Sequence, residues 1–201
     1  MAWTTSRRLI STPRLWRSAL PQHHLPLRRF HAAPHAGLRV QVGHDLPDVE
    51  LVENSPGNKV SIAQELRAAT AGGDGGGGGK GLVIGVPAAF SPACSESHIP
   101  AYLNHDSLQA AGQVFVVSVN DPFVMKAWAK SLDPEQKIRF LADPHATFTN
   151  ALDLAFDATK IFGQPRSKRY ALVIENGKIK EAHVEPDNTG LNVSAAKNVL
   201  G

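Results

Sequence analysis

Apolar runs and turn signals between residues 82 and 200 arrive in strict alternation, and no other feature narrows the fold as much. Residues 82–86 form a short apolar run bounded by glycine and proline, which reads as a buried strand. Residues 92–104 read as a helix, and 114–119 as a second, β-branched apolar run. Asp121 stands at the N-cap position and Pro122 at the first position of a helix over 123–130, the placement that capping favours. A third strand is expected at 138–141. Strands at 170–174 and 178–184 flank Glu175-Asn176-Gly177, and Asn-Gly is a strong hairpin signal. A last helix is expected over 194–200. Strand–helix–strand–helix–strand, then a hairpin and a helix, predicts an α/β fold in which helices flank a mixed β-sheet.

The chain upstream is less regular. Residues 38–60 carry turn formers, among them Ser55-Pro56-Gly57-Asn58, and a short helix is expected over 62–69. Residues 72–81 then hold eight glycines in ten positions. A tract of that composition gives up much backbone entropy on ordering, so it reads as a flexible loop insertion. A phosphate-binding loop requires Gly, four residues and Gly-Lys-Ser/Thr. With Gly79-Lys80 aligned, Asp74 and Gly81 occupy the outer positions, and both are wrong for that motif.

Charge is unevenly distributed. Residues 1–35 hold six arginines (Arg7, Arg8, Arg14, Arg17, Arg28, Arg29), no lysine and no acid. The whole chain carries 21 basic and 18 acidic side chains, so residues 36–201 carry 15 against 18, a net charge of −3. A nucleic-acid-binding reading loses its support, because the basic character belongs to the leader. That leader is Arg-rich and acid-free like a mitochondrial presequence, and Arg28-Arg29-Phe30-His31 resembles a matrix-protease cleavage region. The expectation is therefore a disordered, cleaved presequence over 1–35, a folded domain over 36–201 and a matrix location. The ending Asn198-Val199-Leu200-Gly201 is not of the peroxisomal Ser-Lys-Leu type. No apolar run approaches the roughly 20 residues that cross a bilayer, so no membrane insertion is expected.

Cys94 is the one cysteine of the sequence, which excludes an intramolecular disulfide and a Cys-x-x-Cys pair. Four of the nine histidines lie in the leader and the others lack metal-ligand spacing, so neither a metal nor another cofactor is expected. Around the cysteine the sequence runs Pro87-Ala88-Ala89-Phe90-Ser91-Pro92-Ala93-Cys94-Ser95. Ser91 suits an N-cap and Pro92 a first helical residue, which puts Cys94 third in the helix. There the free N–H groups and the positive end of the dipole favour a thiolate. An ordinary thiol is only a few per cent ionised at neutral pH, whereas helix N-termini and nearby cations can lower a cysteine pKa to roughly 3.5–7.5. Local sequence thus marks an activated nucleophile. It does not select among acyl transfer, peroxide reduction and redox sensing, and an inert buried thiol remains the competing reading.

The cysteine segment resembles the Pro-Gly-Ala-Phe-Thr-Pro-x-Cys-Ser of type-II peroxiredoxins, matching at Pro87, Ala89, Phe90, Pro92, Cys94 and Ser95. Further stretches resemble the family in the same order: His98-Ile99-Pro100, Ser118-Val119-Asn120-Asp121-Pro122-Phe123-Val124, Leu141-Ala142-Asp143-Pro144, Lys168-Arg169-Tyr170, Val184-Glu185-Pro186-Asp187 and Thr189-Gly190-Leu191. The resemblance implies a thioredoxin-like fold and a thiol peroxidase that reduces hydrogen peroxide and alkyl hydroperoxides. It implies Cys94 as peroxidatic nucleophile, Ser91 as hydroxyl contact to thiolate and peroxide, and Arg169 as the cation beside the sulfur. Pro87 would shield that sulfur from solvent. His98 is read as a structural hydrogen-bonding residue, and Trp128 and Phe148 as core or dimer-interface residues.

Two departures stand inside the motif: Ala88 replaces the family glycine, and Ser91 replaces threonine. The positions of the family's resolving cysteines hold Val116, Val117, Asn192 and Val193, which implies a one-cysteine enzyme. Its sulfenic acid needs an external reductant, glutathione with glutaredoxin or a thioredoxin. A homodimer is expected by the same resemblance. The alternative function is a non-enzymatic peroxide sensor or relay that passes the oxidised state of Cys94 to a partner protein.

Overall fold

Seven strands pair into one twisted sheet whose order is set by where the parallel crossovers fall. The computed structural model describes residue 1 and residues 40–71 and 79–201. The expected presequence over 1–35 lies outside the described residues but for Met1, and so does most of the glycine tract. Strands β1 (Leu51–Glu53), β2 (Lys59–Val60) and helix α1 (Ile62–Ala71) come first. Strand β3 (Lys80–Val86) leads into a π-helical turn at Ala93–His98 that continues as α2 (Ile99–Leu103). Then come β4 (Gln113–Ser118), α3 (Pro122–Leu132), β5 (Arg139–Ala142) and the short helix α4 (Thr147–Ala151). A two-residue pair, β6 (Ala155–Phe156) with β7 (Arg166–Ser167), brackets α5 (Thr159–Phe162). The hairpin β8 (Tyr170–Glu175) and β9 (Lys178–Val184) precedes α6 (Ala196–Val199).

The sheet order is β2-β1-β5-β4-β3-β8-β9. Strands β3, β4 and β5 are parallel, whereas β1 joins β5 and β8 joins β3 antiparallel. Side chains that alternate along each strand divide into two cores. On one face Val83, Phe115, Val117 and Leu172 pack with Ile62 and Leu66 of α1 and with Phe148. On the other, Leu82, Ile84, Val86, Val114 and Val116 pack with Cys94, Tyr102, Met125 and Trp128. Trp128 and Phe148 are both fully buried core residues.

Several local expectations are met for the reasons given. The Asp121 carboxylate accepts the Phe123 and Val124 N–H groups, capping α3 with Pro122 in its first turn. Asn176 and Gly177 take left-handed φ of 55° and 75°, the geometry of a type I′ turn. Strand β3 begins at Lys80, two residues before the expected start at Leu82, so the last glycine of the tract is already strand. The strands at 51–53 and 59–60 fall where only turns were expected, because two- and three-residue strands show no period.

Candidate active site

Strand β3 ends at Val86, and Pro87 follows it, buried. The chain then turns through Ala88 and Ala89 to Phe90, whose φ of 60° makes it the left-handed residue of this loop. Ala88 is buried and is not among the residues with left-handed backbone, so replacing the family's glycine there imposes no such strain. The Asn120 side-chain oxygen Oδ1 accepts the Ala89 N–H at 3.1 Å and the Ser118 hydroxyl at 2.8 Å, tying the loop to the end of β4.

The expected side-chain cap is not formed. Ser91 stands where the helix begins, since its carbonyl accepts the Ser95 N–H. Its hydroxyl instead turns back and donates to the Ala88 carbonyl at 3.0 Å. That bond closes the loop, which a helix cap would leave open. Pro92 is helical, with φ −55° and ψ −54°, and the following turn is π-helical, with Ile99 N–H bonded to the Cys94 carbonyl. The extra residue in that turn keeps both Cys94 and His98 buried on one side. Within the same turn, Ser95 Oγ accepts the Trp128 indole N–H at 2.9 Å, anchoring the segment to α3.

Arg169 sits at the entry to β8, 2% exposed, and donates from Nη1 to Cys94 Sγ at 3.3 Å. Sequence separates the two by 75 positions, and the pairing of β3 with β8 brings them together. The same Nη1 lies 3.0 Å from His98 Nδ1, while His98 Nε2 lies 3.0 Å from the Ser194 carbonyl. An arginine only donates, so Nδ1 is the acceptor and the ring proton is on Nε2, directed to Ser194. Burial and then the Arg169 charge push the His98 pKa down to about 4, which keeps the ring neutral. Arg169 Nε donates to the Thr189 carbonyl at 3.2 Å and its backbone N–H to Asn188 at 2.7 Å.

Of the four expected site residues, Cys94 and Arg169 are in direct contact, and Ser91 and Pro87 lie on the loop that leads into the cysteine helix. His98, Asn120, Thr189, Ser194 and Glu185 were not foreseen as site residues. All but Ser194 stand in motifs that were visible, but no spacing rule says that carbonyls near the C-terminus will face the arginine and its histidine.

The redoxin family model matches residues 41–200. The chain is 40% identical over 166 residues to the peroxisomal membrane associated protein 20 of Schizosaccharomyces pombe, covering 80% of this chain and 97% of that one. It is 42% identical over 126 residues to peroxiredoxin-2C of Oryza sativa subsp. japonica, covering 61% of this chain and 77% of that one. The chain belongs to the peroxiredoxin family. The solved structure of reduced Prx3 from Vibrio vulnificus in complex with hydrogen peroxide superposes with a TM-score of 0.68 at 35% identity, covering 80% of this chain and 97% of that one. This peroxiredoxin has the thioredoxin-like fold and is a thiol peroxidase, reducing peroxide at the expense of thiols. Among the described residues no group of three or more His, Cys, Asp or Glu could hold a metal ion, and no helix is long and apolar enough to cross a membrane.

Proposed function

We propose that this peroxiredoxin is a one-cysteine, type-II enzyme in which Cys94 is the peroxidatic nucleophile. The observation that carries the reading is the Arg169 Nη1 contact with Sγ at 3.3 Å, in a sequence that holds a single cysteine. The thiolate attacks the terminal peroxide oxygen; an S–O bond forms as the O–O bond breaks. Two electrons leave sulfur, and the departing oxygen takes a proton to give an alcohol or water. Cys94 is left as a sulfenic acid. Arg169 stabilises negative charge on sulfur and on the leaving oxygen, as donors aimed at developing charge do. Because the Ser91 proton is engaged on Ala88, its oxygen is free to accept the peroxide O–H. Pro87 shields the sulfur, and the Cys94 N–H is the further donor to the bound peroxide.

An external thiol then attacks the sulfenic sulfur and expels water, and a second thiol releases the mixed disulfide. Glutathione with glutaredoxin, or a thioredoxin, fits this need. The family resemblance supports a homodimer, and Phe90 (55%), Phe123 (63%) and Ile161 (80%) are exposed large apolar side chains available to its contact. The Arg-rich, acid-free composition of residues 1–35 supports cleavage of that segment and a matrix location.

Stopped-flow oxidation by hydrogen peroxide, followed by steady-state turnover with each reductant, tests the reading. Rapid oxidation that Cys94→Ser abolishes, with turnover on either reductant, is the expected result. Rapid oxidation without turnover would favour the sensor or relay, and oxidation no faster than that of an ordinary thiol would overturn the role of Cys94.

A further inference from the structure

Arg169 is a buried cation with no carboxylate bonded to it among the described residues. A cation removed from water ordinarily takes a directly bonded carboxylate, because isolated buried charge is costly. The acid nearest to this role is Glu185, 2% exposed, and its carboxylate is spent elsewhere. Its Oε1 accepts the Asn192 N–H at 2.7 Å, the Ser194 N–H at 2.9 Å and the Ser194 hydroxyl at 2.7 Å. Burial raises the Glu185 pKa, but these three bonds and the Arg169 charge outweigh it and leave the pKa below its ordinary value.

The bonds close the segment from Glu185 to Ser194 into a loop. The Glu185 N–H and the Asn188 carbonyl both bond to the Arg169 backbone, at 3.0 and 2.7 Å. From inside the loop the Thr189 carbonyl receives Arg169 Nε. At its end the Ser194 carbonyl receives both His98 Nε2 and the Tyr102 hydroxyl, the latter at 2.7 Å. Two carbonyls thus hold the guanidinium, one directly and one through His98.

We infer that Glu185 is a positioning residue for the peroxidase: it clamps the 185–194 segment so that the Thr189 and Ser194 carbonyls aim Arg169 Nη1 at Cys94 Sγ. The placement also has an electrostatic consequence. A carboxylate bonded straight to Arg169 would occupy the N–H groups and quench the charge that faces the sulfur. Held one step away on backbone amides, Glu185 balances the buried cation and leaves Nη1 to His98 and the sulfur. The inference rests on Arg169 acting on Cys94 as proposed above.

The test is a double-mutant cycle on the full chain, with the rate constant of Cys94 oxidation by hydrogen peroxide as readout. Glu185→Gln keeps an oxygen for the amides and loses the charge; Glu185→Ala removes both. Thermal unfolding accompanies each variant, and where Glu185→Ala does not fold, Glu185→Gln decides. Glu185→Gln is expected to oxidise about tenfold more slowly and Glu185→Ala more slowly still, since small displacements of a positioned group cost up to about a hundredfold. In the Arg169→Ala background Glu185→Gln should add no further loss. Wild-type oxidation rates in both Glu185 variants, with Arg169→Ala slow, would overturn the inference alone. So would a Glu185→Gln loss that multiplies on top of Arg169→Ala, because that is a general structural defect. Wild-type oxidation in Arg169→Ala would overturn the arginine's role, and the inference with it.

Discussion

Arg169 and Cys94 act on one another through one 3.3 Å contact, so single substitutions there have sharp expected outcomes. Arg169→Ala should slow Cys94 oxidation by roughly a hundredfold, the usual cost of removing one donor from a developing anion. At Ser91 the hydroxyl, and not helix capping, is what the loop uses, since it bonds to the Ala88 carbonyl. Ser91→Thr should therefore keep the wild-type oxidation rate within a few fold, while Ser91→Ala should slow it by about tenfold in the same stopped-flow measurement. His98 is expected to show itself through pH. Its pKa falls from 6.5 to about 4 on folding, so between those values the unfolded chain binds a proton that the folded chain refuses. The His98 contribution to stability should therefore fall as pH drops from about 6.5 to 4, by roughly 3 kcal/mol, and level off below that, where carboxylates with lowered pKa such as Glu185 begin to titrate. Urea unfolding against pH checks this, and His98→Asn should show a shallower slope across that window.

Among the elements, strand β3 is the most constrained, because it sits between β4 and β8 and ends at the active-site loop. A methyl group on Gly85 would lie 2.0 Å from the Tyr170 ring, in the fully buried pair that precedes Pro87. Gly85→Ala should destabilise the protein by about 1–3 kcal/mol and also disturb oxidation, since Tyr170 adjoins Arg169. At the far end of the same hairpin, Gly177 has φ +75° and its added methyl would meet the Arg67 side chain at 2.9 Å. Gly177→Ala should cost about 1 kcal/mol or more in urea unfolding while leaving Cys94 oxidation unchanged, because that turn is remote from the loop at Pro87. The contrast separates strand packing that positions the site from strand packing that only stabilises.

At the scale of the whole molecule, assembly is expected from the family resemblance, and the exposed apolar side chains are where that expectation can be tested. Ile161→Asp places a charge on a side chain that is 80% exposed, so the monomer should fold normally. Light scattering should then show a smaller mass than for the unsubstituted chain; an unchanged mass would place the contact elsewhere. The legible part of this protein was whatever depends on neighbours in sequence. The β3 run, the Asp121-Pro122 cap, the Asn176-Gly177 turn and the cysteine near a helix start are local, and each formed as its residues dictate. The motif resemblance also named Arg169 beside the sulfur, although spacing alone gave no reason for it. Illegible were the short pairs β1–β2 and β6–β7, too brief to show a period, and the Ser91 hydroxyl, which suited a helix cap by sequence but donates to the Ala88 carbonyl. The wiring behind Arg169 was illegible for a different reason. Thr189 and Ser194 contribute backbone carbonyls, which every residue possesses, so nothing in their side chains announces the role. Sequence by itself determined the longer strands, the helix start and the one cysteine that could serve as nucleophile, because the first two follow from local propensity and capping and the chain holds a single cysteine. Only the tertiary structure decided which donors and acceptors meet around the sulfur, because that depends on the β3–β8 pairing and on a carboxylate folding the last segment back onto the sheet.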